Sequence, residues 1–83
     1  MLVHPSDDTT PRIFTIDNDV HGINTTLVFA NRPGAGALTI ANNETMYLAG
    51  TAGTGSRTMA ADGIALAIKR SPAEWVIDGL GLS

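Results

Sequence analysis

The sequence predicts an all-β domain, a small antiparallel sandwich or barrel of about six to seven short strands. Three observations carry that expectation. Short apolar-alternating segments recur, separated about every ten residues by Gly, Pro, Asn and Asp clusters. Ten threonines favour strands, and nine glycines favour the turns between them. No window longer than ten residues carries a convincing i, i+3, i+4 apolar pattern; the weak exception, Thr58 to Ile68, is interrupted by Asp62-Gly63.

In chain order, residues 1–11 read as an extended N-terminal arm ahead of a single β domain at 12–83. His4-Pro5-Ser6-Asp7-Asp8-Thr9-Thr10-Pro11 has two prolines, adjacent acids and no periodicity. Such a terminus orders only when something ties it down, and a neighbouring subunit is the expected tie. Arg12–Ile16 is the first strand. Asp17-Asn18-Asp19 turns the chain through its own side-chain hydrogen bonds. Thr25–Ala30 and Ala37–Ala41 are the next strands, split by Asn31-Arg32-Pro33-Gly34-Ala35-Gly36. Thr45–Ala49 follows the Asn42-Asn43-Glu44 turn, and Gly50 to Gly55 form an exposed glycine-rich loop.

Arg57–Ala60 reads as a short strand, and Ala61-Asp62-Gly63 turns into the segment around which the chain is organised. That segment, Gly63 to Gly79, reads as a β-hairpin about Arg70-Ser71-Pro72-Ala73. Ile64, Leu66 and Ile68 share one face of its first strand, Trp75 and Ile77 one face of its second, and Val76 the other. Trp75, the lone tryptophan, belongs in the core. With the larger aliphatics inward, the opposite faces would show Ala65, Ala67, Ala37, Ala41, Ala49, Thr39 and Thr45. Faces so poor in charge fit burial against identical neighbours or a larger partner.

Composition narrows the function classes. A chain of 83 residues makes one domain, and at this size only about 60% of the unfolded surface becomes buried. With no cysteine for a disulfide and no Cys/His set for structural zinc, oligomerisation is the expected stabiliser. A net charge of −3 with scattered basic residues argues against nucleic acid. No apolar run approaches the ~18 residues that span a bilayer. The first eight residues have neither the basic nor the apolar region of a signal peptide. Without that route, the glycosylation patterns at Asn24 and Asn43 are not expected to be used.

The chemical motifs are weak. Asp17-Asn18-Asp19-Val20-His21-Gly22 opens like a calcium loop, but Val28 stands at the twelfth position, where a bidentate Glu is needed. Gly50-Thr51-Ala52-Gly53-Thr54-Gly55-Ser56-Arg57 has the glycine spacing of a phosphate loop, with Ser56 in place of the lysine and no strand–helix context. The two histidines, His4 and His21, lie in the arm and beside a turn, and no motif fixes a nucleophile. Asp62 and Asp78 adjoin glycines, which is turn chemistry. The expectation is therefore no enzyme, no cofactor and no metal. Tyr47, on the outer face of its strand opposite Met46 and Leu48, is a candidate to stack on a sugar.

At Gly36-Ala37-Leu38-Thr39-Ile40-Ala41-Asn42-Asn43-Glu44-Thr45-Met46-Tyr47-Leu48, and again at Ile64 to Gly79, the chain resembles the small β-rich appendage proteins of tailed bacteriophages. These comprise capsid decoration (cement) proteins and head- or tail-fibre domains. The shared texture is a Gly-Ala-Leu-Thr-Ile strand, a polar turn, a second strand and a glycine-rich loop. It closes with an Ala-Ile-Lys, turn, Trp-Val-Ile-Asp-Gly hairpin. It covers roughly residues 23–80 and leaves the arm unmatched.

The resemblance implies a symmetric oligomer, most often a trimer, that performs no reaction. A chain running from Met1 to Ser83 without a stalk fits a decoration protein better than a fibre. The expected partners are then the major capsid protein and self (a homotrimer), on the outer capsid surface of a virion made in the host cytoplasm. The arm, through Leu2, Val3, Pro5 and Pro11, is expected to reach a neighbouring subunit or the coat. The rival expectation is a fibre or tail-tip domain that binds a host surface glycan, through Tyr47.

Overall fold

The computed structural model describes residues 2–51 and 53–83. Seven strands form one curled, mixed sheet: β1 (Leu2–His4), β2 (Arg12–Ile16), β3 (Thr26–Asn31), β4 (Leu38–Asn42), β5 (Thr45–Leu48), β6 (Arg57–Ser71) and β7 (Glu74–Leu82). The fold is all-β, and the one helical element among the described residues is a 3₁₀ turn at Asn18–Val20.

β6 is the spine. Its C-terminal half pairs antiparallel with β3 and its N-terminal half with β4, while β7 runs antiparallel along its other edge. The expected turn at Ala61-Asp62-Gly63 is instead a bulge within this one long strand. The register against β7 jumps between Met59 and Ile64, and Asp62 takes φ of 64° to make room for the extra residues. A wholly antiparallel arrangement is also not what forms, because β1 pairs parallel with β3, β2 with β4, and β5 with β7. Residues 2–16 and 26–42 therefore run side by side in one direction, joined by the long crossover that parallel pairing requires.

The arm expected at residues 1–11 joins the sheet. Leu2–His4 add β1 to the edge of β3, and Leu2 packs against the core. The connections that interrupt the two tracks meet one another. Gly36 N donates to Asp8 O at 3.0 Å, and a Cβ on Gly36 would collide with the Thr9 and Thr10 backbone. Glycine is required there by close approach.

Ile16, Phe29, Leu38, Ile40, Met46, Met59, Trp75 and Ile77 form the core. Trp75 is buried as expected, but Ile64, Leu66 and Ile68 are not with it. They are 49%, 48% and 43% exposed, whereas Ala65 and Ala67 are buried. The cause is one residue. A regular two-residue turn at Pro72-Ala73 continues the Ser71–Glu74 pair into Arg70–Trp75 and Ile68–Ile77, which puts the isoleucines together inside. The register instead slips between Lys69 and Ser71, so Trp75 pairs with Lys69, Ile77 with Ala67 and Gly79 with Ala65. A one-residue slip sends every side chain of a strand to the other face. The result is complementary in volume, with small Ala65 and Ala67 on the face that must accommodate Trp75, Ile77 and Phe29.

Two buried polar side chains hold this register. Asn18 accepts from Trp75 Nε1 at 2.9 Å through Oδ1 and donates from Nδ2 to Pro72 O at 2.8 Å, tying the indole and the hairpin turn to the 3₁₀ turn. Lys69, drawn inside by the slip, donates from Nζ to Asn18 O at 2.8 Å and His21 O at 2.6 Å. Carbonyls of the turn's first residue and of its C-cap thus satisfy a buried ammonium.

A candidate docking face on the outside of β3, β6 and β7

The inversion of β6 creates the most distinctive surface of the molecule. Strand registry places three rows of side chains side by side on the outer face. Ala30, Ile64 and Leu80 form one row, Val28, Leu66 and Asp78 the next, and Thr26, Ile68 and Val76 the third. β1 extends the first row with Val3 and β5 extends the third with Tyr47. Leu80, at 79% exposure, is the most open large hydrophobic side chain among the described residues. Strands pair on both sides of β6, so its aliphatic row stands on a framework with little freedom to rearrange.

A depression of about 260 Å³ lies in this face, lined by Val28, Ile64, Leu66, Asp78, Gly79 and Leu80. Beneath it β7 and β6 approach closely at Gly79, where a Cβ would point to the inner face and collide with the Ile64 carbonyl and Ala65. Neighbouring Gly81, at φ of 80°, lets the end of β7 continue past the β6 bulge.

Tyr47 lies on the outer face, as its alternation with buried Met46 predicts, but it is not an open platform. It is half-buried, and Arg70 sits over its ring at 5.2 Å from the centroid while pairing with Glu74. The other expected partner-binding residues scatter. Leu2 faces the core, Val3 faces outward on the docking face, and Pro5 and Pro11 are exposed in and at the end of the β1–β2 connection.

That connection is fastened by a polar chain. His4 Nδ1 lies 2.8 Å from Asn31 Oδ1 and Nε2 lies 3.0 Å from Asp8 Oδ2, and Arg12 Nε donates to the same Asp8 oxygen at 2.8 Å. Asn31 is oriented by donating from Nδ2 to Gly36 O and Met59 O. The Arg12 guanidinium holds the Asp8 carboxyl down to about 2, helped by the Thr10 amide and His4 and opposed by partial desolvation.

The calcium-like segment forms the 3₁₀ turn and its cap. Asp17 caps the 3₁₀ turn by accepting from Asp19 N and also accepts from Asn43 Nδ2, while the His21 ring stands edge-on to Trp75 at 5.6 Å. Among the described residues no three His, Cys, Asp or Glu side chains gather as a metal-holding group. Of the glycine-rich loop, Ala52 lies outside the described residues. The remainder is laced to β5, with Leu48 N donating to Gly53 O and Gly55 N to Met46 O. Among the described residues no helix is long and apolar enough to cross a membrane.

Comparison with family models, with curated proteins and with solved structures returns no match to this chain. The outer face itself was hidden from sequence reading by the Lys69–Ser71 slip. The one signal that bears on it is the aliphatic triplet Ile64, Leu66, Ile68 beside an equally good inward set, Trp75 and Ile77, on a strand that can be in only one register.

Proposed function

We propose that this chain is a structural protein of a virus particle, a decoration protein that binds the outside of a bacteriophage head and bridges joints between copies of the major capsid protein. The observation that carries the proposal is the exposed aliphatic surface of Ile64, Leu66, Ile68 and Leu80 on a sheet held from both sides. Isolated surface aliphatics are ordinary, but an adjoining set on one rigid face marks an interaction surface. The particular partner, the phage coat, comes from the sequence resemblance at 36–48 and 64–79.

Magnitudes favour several such contacts acting together. These four side chains expose the equivalent of roughly two free aliphatic groups, whose burial contributes about 3–6 kcal/mol. Association alone costs about 4–15 kcal/mol. One face is therefore a weak anchor, and a homotrimer that presents three of them to a symmetric shell gains by avidity. A protein that binds only the assembled shell stabilises it by mass action. Val3, at the end of the first outer row, is the residue of the N-terminal strand placed to share that contact.

The test is the copy number of this chain relative to the major coat protein in purified native particles. A ratio approaching one per coat subunit supports the decoration role. A few copies per particle favour a fibre or tail-tip domain, and a glycan array comparing the wild type with Tyr47→Ala then becomes the deciding assay. Absence from particles overturns both.

A further inference from the structure

One charged group sits within the aliphatic face, and its setting defines what can cover it. Asp78 lies directly across the ladder from Leu66, whose other neighbour is Val28. Ile64 and Leu80 flank it on one side, and Ile68 and Val76 on the other. The exposed carboxylate accepts one hydrogen bond, from Gly79 N at 2.9 Å. The ion pairs among the described residues are His4–Asp8, Arg12–Asp8 and Arg70–Glu74, and Asp78 takes part in none of them. Beside it lies the depression over Gly79.

We propose that this face docks a partner protein that inserts an aliphatic or aromatic side chain into the Gly79 depression and sets a lysine or arginine against Asp78. The proposal rests on the reading of the outer face as a docking surface and adds the chemistry of the occupant. An apolar partner would strip water from the carboxylate without replacing it, and an unpaired buried charge carries a penalty comparable to the gain from the surrounding aliphatics. An acidic partner adds repulsion.

A second copy of this chain, packed face to face about a two-fold axis at this point, brings Asp78 against Asp78. The nearest cations of the sheet are already committed. Arg70 pairs with Glu74, and Lys69 is buried on two backbone carbonyls. The net charge of −3 favours the approach of a basic surface as well.

The experiment uses the full chain, isotope-labelled, titrated with two capped peptides that share a Leu-Phe-Leu core flanked by arginine in one and glutamate in the other. Amide shifts at Leu66, Asp78, Gly79 and Leu80 are expected with the arginine peptide, at an affinity about tenfold above its glutamate counterpart. Asp78→Asn should bring the two peptides close to parity. Leu66→Lys should abolish both, with unchanged strand shifts confirming the fold.

Equal affinities on the wild type, with shifts confined to this face, overturn the charge requirement and leave apolar docking standing. Shifts absent from the face overturn the docking reading itself. Sedimentation equilibrium on the same samples supplies the last arm, since a self-associated species that dissociates on Leu66→Lys makes a second copy the occupant and refutes the proposal.

Discussion

Exchanging the sizes of two neighbouring side chains on β6 tests the register that generates the outer face. Leu66 is 48% exposed, while adjacent Ala67 is fully buried within the core. Full burial of a leucine contributes about 1.5–3 kcal/mol, so Leu66→Ala, at a half-exposed site with no enclosed cavity left behind, should cost about 1 kcal/mol or less. Ala67→Leu must force extra methylenes against its cross-strand neighbours Ile77 and Leu27, and overpacking of this kind costs about 1–3 kcal/mol. In a domain of this size each kcal/mol moves the melting temperature by about 4–8 °C. Thermal unfolding followed by circular dichroism should therefore show Leu66→Ala within several degrees of the wild type and Ala67→Leu melting clearly lower. If Leu66 faced the core, its truncation would cost about 2–5 kcal/mol and the alanine would accept enlargement. That reversed order would refute the slipped register.

Other consequences follow from particular contacts. Asn18→Ala removes the acceptor of the buried Trp75 indole N–H, and equilibrium denaturation should show a loss of about 1–3 kcal/mol. Gly79→Ala should destabilise the β6–β7 pairing, because the added Cβ meets the Ile64 carbonyl. Amide exchange at Ala65 and Ile64 should accelerate, and unchanged protection would contradict the close approach. The Asp8 carboxyl, lowered from 3.8 to about 2 chiefly by Arg12, binds its proton more weakly folded than unfolded. Its contribution is thus present above pH 3.8 and lost as pH falls through about 2. Amide shifts of β1 should move over that window in the wild type and stay put in Asp8→Asn.

Much of the architecture was legible in the sequence because it rests on local chemistry. β2 was readable from Arg12–Ile16 because alternation and the Asp17-Asn18-Asp19 turn bound it on both sides, and the structure matches those limits. Trp75 was assignable to the core by size alone. Parallel pairing was not legible, since the partners of β1 and β2 lie far along the chain and nothing local selects them. β1 itself was read as part of an arm. Its three residues gain their structure from β3 and from buried contacts such as His4 with Asn31, which are tertiary.

The candidate site was the least legible part, and for a reason that can be traced. Both strands of the hairpin carry an apolar set that would serve as an inner face, and the choice between them depends on whether the chain opposite Trp75 is Arg70 or Lys69. That choice is made by Asn18, which holds the indole and the Pro72 carbonyl, and by the two carbonyls that accept Lys69. These partners lie about fifty residues away in sequence, so the period-two pattern alone favours neither register.

The most direct test of the account is the solvent exposure of its isoleucine and leucine methyl groups, measured by NMR with a soluble gadolinium chelate. Methyls of Ile64, Leu66, Ile68 and Leu80 should broaden strongly, while those of Ile16, Ile40 and Ile77 stay sharp and the Trp75 indole shows cross-peaks to the His21 ring. Protected Ile64, Leu66 and Ile68 methyls, with Ile68 cross-peaks to the indole, would place the row inside and remove the docking face altogether.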